Sequence, residues 1–585
     1  MDLVFDIETD DLKATKIHCI VAQDIDSGEI FKFTPKNLEE GYNFLTTADK
    51  LIGHNIIGFD IPMVEKFGKV DLSKIPVIDT LVLSRLFNPT REGGHSLERW
   101  GYKLGTNKIE FEDFKNYSKT MLDYCVRDVQ LNAMLFKALR QESKGFSKQS
   151  IELEQQVAKI MKKQEVDGFK LDEKKSLLLL AELREKKKII EEEVQETFKP
   201  ITEEIKIEPL FLQTGKMAKK GFNTTTRKNT ILTEEEYKKL DSGASVVTRY
   251  LTTEFNLGSR QQIGERLIEA GWKPERLTPT GQPVADEKTL SKIKHIHEAK
   301  LISEFLLLQK RIAQVSSWVD AIEKDGRVHG FVIPNGAITG RMTHRSPNMA
   351  QVPAVSSPYG KECRACWIVE EGNVLVGIDA SGLELRMLAH YLNDEEFTYE
   401  ITNGDIHTAN QRLANLKSRD KAKTFIYALL YGARDKKLGK VVGGTEADGR
   451  RARQHFFDNK PAFKLLRDRV ERASKKGYLK GLDGRKIYIR TAHASLNSLL
   501  QGAGAVIMKK ALCLLDNYIR DNNLEAKFVA NIHDEWQIEA ESTKENATAV
   551  GEFGIKAIQE AGEHFVLRCP LTGQYKIGED WSETH

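Results

Sequence analysis

Three short apolar runs near the start of the chain, LVFDIE, HCIVAQDI and KLIGHN, are interleaved with helical stretches over residues 1–145, and this alternation predicts an α/β domain. The stretch RQESKGFSKQS then reads as a linker. From Ile151 apolar positions recur at helical spacing. IELEQQVAKIMKKQEVDG and DEKKSLLLLAELREKKKIIEEEVQETF are predicted as long amphipathic helices whose Lys/Glu runs form a solvated face. Residues 199–256 are rich in Lys, Thr and Gly, show poor periodicity, and read as an insertion between helices. Helical spacing returns over 258–316. Beyond 325 come strands and turns, then a helical block over 406–477, then a strand-rich end whose clearest feature is KFVANIHDEWQIEAE. There is no internal repeat.

At 585 residues the chain is too long for one hydrophobic core, so several domains are expected. A composition of 40% hydrophobic and 30% charged residues is that of a soluble globular protein. The net charge of +3 leaves the partner class open, because a protein acting on nucleic acid can be basic in its clefts alone. Asp2, Asp6 and Glu8 argue against a secretory signal of the usual form, and no apolar run approaches the ~20 residues that span a bilayer. Six scattered cysteines point to a reducing cytosol. Cys363 and Cys366 have CxxC spacing but no second such pair, so they read as plain thiols.

Candidate chemistry begins with LVFDIET. On a strand, Asp6 and Glu8 point the same way, and two buried carboxylates side by side require something positive between them. GHNIIGFDIP supplies Asp60, with His54 and Asn55 leading its turn, and DYCVRDV places Tyr124 and Asp128 one helical turn apart. The economical explanation is two divalent metals that activate a water and stabilise the leaving oxygen of a phosphodiester, with Tyr124 orienting the water. The pattern resembles the DEDD-type 3′→5′ exonucleases of the subgroup that carries a tyrosine.

A second set lies downstream. VLVGIDASGLELRMLAHY is an apolar strand ending at Asp379, and FVANIHDEWQIEA is a hairpin with His533, Asp534 and Glu535 at its turn. Two acids on adjacent strand ends suit a two-metal phosphoryl-transfer site. In RDKAKTFIYALLYG, Arg419, Lys423 and Tyr427 form one helical stripe, with Tyr431 a turn further and Gly432 closing the helix. Cations followed by an aromatic ring match a nucleoside triphosphate lying along the helix; an ordinary amphipathic helix is the plainer alternative. No Walker A motif is present.

DASGLELR, RDKAKTFIYALLYG and HDE resemble motifs A, B and C of family A DNA polymerases, in the right order. TGRMTHRSPNMAQVP and HASLNSLLQGAGA resemble segments of that family that grip primer–template. Together with the exonuclease motifs the similarity spans nearly the whole chain, and it is closest to replicative polymerases of short-tailed bacteriophages.

The resemblance implies a multidomain α/β and α+β fold, in which a ribonuclease H-like exonuclease domain precedes a right-hand polymerase. The expected divisions are the exonuclease at 1–145, a thumb region at 151–324 with an insertion at 199–256, palm at 325–400 and 486–585, and fingers at 401–485. It implies that Asp379 and Asp534 hold two Mg²⁺, for which Mn²⁺ could substitute, assisted by the Ala380 carbonyl, with Glu535 in support. His407, Arg419 and Lys423 would contact the triphosphate, and Lys423 would also serve as general acid. Glu384 would exclude a ribose 2′-hydroxyl, while Tyr427, flanked by Tyr431 in the nucleotide site, would permit dideoxynucleotides. Arg341, Asn497, Gln501 and His533 would contact DNA, the first three in the minor groove, where acceptors lie alike on all pairs.

With the exonuclease motifs at the start of the sequence and no 5′-nuclease motif ahead of them, nick translation is not expected. The 199–256 segment lies where thioredoxin-dependent phage polymerases carry a processivity insertion, so host thioredoxin is a candidate partner. Lys216, Lys219, Lys220, Arg227 and Lys228 offer the alternative of direct phosphate contacts. A phage helicase-primase and single-stranded DNA-binding protein would act alongside, in the cytoplasm of a bacterial host. Alternatives are a repair-type polymerase, a 3′→5′ nuclease with a non-catalytic DNA-binding C-terminal region, and a non-catalytic nucleic-acid scaffold.

Overall fold

The computed structural model describes residues 1–584. It divides into two compact units, Met1–Glu173 joined with the chain from Asp320 onward, and Lys174–Val319.

The larger unit opens with five strands, β1 (Asp2–Thr9), β2 (Ile17–Asp24), β3 (Ile30–Phe33), β4 (Lys50–Gly53) and β5 (Val77–Asp79). They form one mixed sheet in the order β3-β2-β1-β4-β5, with β1, β2 and β3 antiparallel and β4 and β5 parallel to β1. Six helices accompany it: α1 (Leu38–Leu45), α2 (Asp60–Gly68), α3 (Thr80–Phe87), α4 (Leu97–Leu104), α5 (Lys119–Glu142) and α6 (Lys148–Asp167). Both faces of β1 are covered, so its apolar run is nearly continuous. Leu3, Phe5 and Ile7 join a core with Leu45, Leu51 and Val64, whereas Val4 packs with Cys125 and Val129 of α5. Strand alternation therefore turns Asp6 and Glu8 toward α5. The Asp79 carboxylate caps α3 and accepts from the backbone N–H of Asn55 and Ile57 (3.0 and 3.2 Å), bracing the turn that leads into α2.

Two expectations for this region are corrected. The linker is much shorter than RQESKGFSKQS, because α5 runs to Glu142 and Ser147 already caps α6. It is also packed: Phe146 lies 4.8 Å from Phe87, and the Lys486 ammonium donates to the Lys144 carbonyl at 3.2 Å. Helix α6, expected with the 151–324 segment, belongs to the larger unit. Its Leu153, Val157, Ile160 and Met161 are core residues together with Val376 and Ile378.

The remainder of this unit is built on a four-stranded antiparallel sheet in the order Ala526–Ile532, Glu535–Glu541, Asn373–Ala380, Gly573–Gly578. Helices from Ile406 to Ser474 form the expected helical block. The end of the chain is not strand-rich: Ser495–Asp521 and Lys544–His564 are helices of 27 and 21 residues. The first is buried all round over Gly502–Lys509, which interrupts its polar period, and Gly502 lets it approach Ile487, whose Cδ1 would lie 2.6 Å from an added Cβ. The span Ala492–Asp521 is also long and apolar enough to cross a membrane, contrary to the sequence expectation, but 78% of its apolar window is buried inside the protein, as in a core helix.

In the smaller unit, residues 201–253 form an antiparallel sheet in the order Val247–Thr253, Ile201–Phe211, Met217–Asn223, Lys228–Ile231. The helix Glu234–Asp241 contributes Leu240 to a core with Ile205, Ile207, Met217, Leu232 and Val247. The insertion thus has regular structure that its composition concealed.

Candidate active sites

The structure brings Asp6, Glu8, Asp60, Tyr124 and Asp128 together in one pocket. Asp6 and Glu8 offer oxygens, and Cys125 its sulfur, within 4.8 Å of one another. Asp60, in the first turn of α2, accepts from the Ile7 N–H at 3.1 Å, which binds that helix to β1 beside the pair. Burial pushes the Glu8 carboxyl up to about 9 and Asp60 up to about 7. Asp6 is raised by burial and then by the charges of Asp60, Glu8 and Asp128. The pocket thus disfavours its own charges, and a multivalent cation would restore the ionised forms.

Two residues here were not anticipated. The Lys108 ammonium lies 2.5 Å from Asp128 Oδ2, and it opposes the upward push of burial on that carboxyl. The buried Cys125 thiol is raised by desolvation, so it stays protonated and is a poor donor to a hard cation. Tyr124 packs against Phe111 and Phe114, with centroids at 5.6 and 6.0 Å, and its hydroxyl is pushed up to about 12, chiefly by burial. It remains a neutral donor. The buried Asp128 Oδ1 has no hydrogen-bond partner, and together with the carboxylate donor set this fits a hard divalent ion. His54, which leads the turn to α2, contacts Thr80 Oγ1 at 2.9 Å and is driven down to about 3 by burial, so it is neutral and structural.

The second site lies at one end of the four-stranded sheet. Asp379 pairs in register with Glu535, and the Ala380 N–H donates to the Asp534 carbonyl at 3.0 Å, tying the strand end to the hairpin turn. His533 occupies the left-handed region (φ 59°), which makes the tight two-residue turn. Arg341, His533 and Asp534 line one cleft with Gly504, Ala505 and Met508 of the helix Ser495–Asp521. Asn497 and Gln501 stand one turn apart at the start of that helix.

The helix Arg419–Leu430 carries the expected stripe. Ser418 caps it, Ala422, Phe425, Ile426 and Leu429 are buried, and Arg419 and Lys423 are exposed on the other side. Gly432, at φ 72°, follows the cap residue Tyr431. Tyr427 lies 6.3 Å from the His407 ring and feels the charges of Glu384 and Asp534. The His407 imidazole is held below its usual value by burial and by Arg419 and Lys423. Glu535 differs from a carboxylate open to substrate. It is buried, and its Oε1 accepts from Trp581 Nε1 and Gln537 Nε2, both at 2.7 Å, with Arg364 at 3.5 Å.

Residues 226–583, more than half of the chain, match the family model of DNA polymerase family A. The chain belongs to that family. It is a DNA-directed DNA polymerase, similar over its whole length to those of Enterobacteria phage T3 (34% identical) and Escherichia phage T7 (33%), with 100% of each chain covered in both cases. The polymerase I of Aquifex aeolicus is 32% identical over 52% of this chain and 55% of its own. Among solved structures, the POL domain of Pol1 from M. smegmatis, in complex with DNA primer-template and dNTP, superposes with a TM-score of 0.79 at 18% identity. That match covers 100% of this chain and 95% of the other, a likeness of fold.

Proposed function

We propose that this polymerase is a proofreading replicative enzyme of phage type, extending a primer at the Asp379/Asp534 site and removing mispaired 3′ ends at the Asp6/Glu8/Asp60/Asp128 site. The observation that carries the reading is that both carboxylate sets occur complete in one chain, each on strand ends and helix turns that hold it in place. Under this reading the sheet Ile30–Phe33 through Val77–Asp79 with its helices is a ribonuclease H-like exonuclease, and the chain from Asp320 forms palm and fingers.

Asp379, Asp534 and the Ala380 carbonyl would hold Mg²⁺ or Mn²⁺ at one site, and Asp6, Glu8, Asp60 and Asp128 at the other. When bound, such ions lower the pKa of the attacking hydroxyl or water and neutralise charge on the phosphates. Arg419, Lys423 and His407 align the triphosphate, and Lys423 gives a proton to the departing pyrophosphate. Glu384 closes the space beside the sugar, and Tyr427 with Tyr431 forms the wall against base and ribose. Arg341, Asn497, Gln501 and His533 follow the primer–template. Tyr124 orients the hydrolytic water at the other site.

In the insertion, Lys216, Lys219, Lys220, Arg227 and Lys228 are all exposed along one hairpin. This favours direct phosphate contacts over a thioredoxin partner. Helicase-primase, single-stranded DNA-binding protein and a bacterial cytoplasm complete the replicative setting.

The test is a 5′-labelled primer–template with a 3′-terminal mismatch, incubated in Mg²⁺ with and without dNTPs. Shortening without dNTPs and full-length product with them supports the reading. Extension with no shortening removes proofreading from it. Single-hit extension with and without thioredoxin tests the insertion, and a product length that rises with thioredoxin would replace the clamp by the partner.

A further inference from the structure

Lys108 stands in GTNKIEFEDF, an irregular segment between α4 and α5, and no motif singles it out. The segment is fastened at both ends. Thr106 N–H donates to the Gly101 carbonyl at 2.9 Å, where an added Cβ on Gly101 would stand 2.7 Å from Thr106 O, and the Phe114 carbonyl meets His18 Nε2 at 3.0 Å. Phe111 and Phe114 pack edge to face at 5.0 Å and both lie against Tyr124. The lysine is thus delivered to the carboxylate pocket by an ordered loop.

Its ammonium group makes two engagements there. It lies 2.5 Å from Asp128 Oδ2, and it stands 4.8 Å from the centroid of the Tyr124 ring. The other Asp128 oxygen, Oδ1, is buried and has no partner. One oxygen is therefore committed and one is left over.

We propose that Lys108 is a positioning residue of the exonuclease site: it holds Asp128 by Oδ2 so that only Oδ1 is offered to a divalent ion, and it fixes Tyr124 for the attacking water. The proposal rests on the exonuclease reading of this site. An ammonium ion suits the task because it donates in three directions and cannot itself ligate a cation. A carboxylate held by one oxygen cannot swing to bidentate ligation, and a tyrosine held by its neighbour keeps its hydroxyl over the reacting phosphorus. Misplacing a reacting group by about 1 Å costs on the order of 100-fold in rate.

The experiment uses the full chain as wild type, Lys108→Met and Lys108→Arg. A 5′-labelled single-stranded oligonucleotide is digested in Mg²⁺ without dNTPs under single-turnover conditions. Extension of a matched primer reports the integrity of the fold, and Mn²⁺ binding to the protein alone is followed by electron paramagnetic resonance. The expected result is a roughly 100-fold slower digestion by K108M, recovery by K108R to within about tenfold of wild type, and unchanged matched extension and number of Mn²⁺ bound. K108M digesting at the wild-type rate overturns the proposal and leaves the exonuclease reading intact. A K108M defect accompanied by lost extension or lost Mn²⁺ makes Lys108 structural and also overturns it, as does a K108R enzyme as slow as K108M. A wild-type chain that digests nothing overturns the exonuclease reading, and the proposal with it.

Discussion

The Tyr431 hydroxyl donates a 2.9 Å hydrogen bond to Oε2 of Glu384, joining the end of the Arg419–Leu430 helix to the first turn of the helix that follows Asp379. Oε1 of Glu384 is buried without a partner, and burial holds this carboxyl above its usual range against the opposing pull of Tyr431 and Arg341. The bond fixes the group assigned to exclude a 2′-hydroxyl. Tyr431→Phe is expected to raise ribonucleotide incorporation relative to deoxynucleotide by about tenfold, or about 1.4 kcal/mol of discrimination. The check is the ratio of kcat/KM for rNTP and dNTP; an unchanged ratio contradicts the assignment.

Asp405 links a helix cap to Arg419, the cation proposed to meet the triphosphate. Its carboxylate accepts from the His407 and Thr408 N–H groups and grips Arg419 through Nε at 2.6 Å and Nη2 at 3.2 Å. Asp405→Ala should therefore lower stability through the lost cap and also release Arg419. We expect KM for dNTP to rise several-fold with a smaller change in kcat. Asp405→Asn, which keeps an acceptor for the cap, should retain the stability and lose part of the grip on Arg419. Thermal unfolding and steady-state extension separate the two effects.

Glu535 is held from within the protein by Trp581 and Gln537, so its removal is expected to be paid for in stability first. Trp581→Phe deletes one donor to a buried carboxylate, a loss of about 1–3 kcal/mol. Denaturant unfolding should show that loss, while primer extension at low temperature falls far less than in Asp534→Asn. Equal loss of extension in the two variants would place Glu535 among the groups that act directly on the substrate.

The metal-free chain should lose stability as pH rises. The Glu8 carboxyl titrates at about 9 in the folded protein against an ordinary 4.5, because burial disfavours its charge. The neutral form is thus favoured by folding, a contribution complete below about pH 4.5 and lost as pH climbs toward 9. In EDTA, the melting temperature of wild type should fall more steeply over that window than that of Glu8→Gln. Adding Mg²⁺ should reduce the difference, since a bound cation stabilises the ionised form. Parallel curves for the two proteins in EDTA would contradict this.

The elements that bear the acids were legible because their constraints are local. Strand alternation placed Asp6 and Glu8 together, a two-residue turn between alternating runs placed Asp534, and a 3.6-residue period aligned Arg419, Lys423 and Tyr427. The helix Ser495–Asp521 was not legible, since its middle, Gly502–Lys509, is buried on every side and interrupts the polar face from which a period is read. The sheet of residues 201–253 was hidden by its small core: Lys228–Ile231 buries no residue and Val247–Thr253 buries only Val247, so these strands leave no alternation to read. Lys108 and the Trp581–Glu535 contact depend on residues brought together from separate segments, and a single lysine or tryptophan carries no spacing that announces its partner.

In the proposed function, two independent carboxylate sites serve opposite reactions in one chain. Asp534→Asn and the double variant Asp6→Ala/Glu8→Ala, each given the mismatched 5′-labelled primer–template in Mg²⁺, test it most directly. The first should shorten the primer at the wild-type rate and fail to extend it when dNTPs are added. The second should leave the primer unshortened while extending a matched primer normally. A double variant that still shortens the primer, or an Asp534→Asn enzyme that loses both activities, would contradict the two-site account.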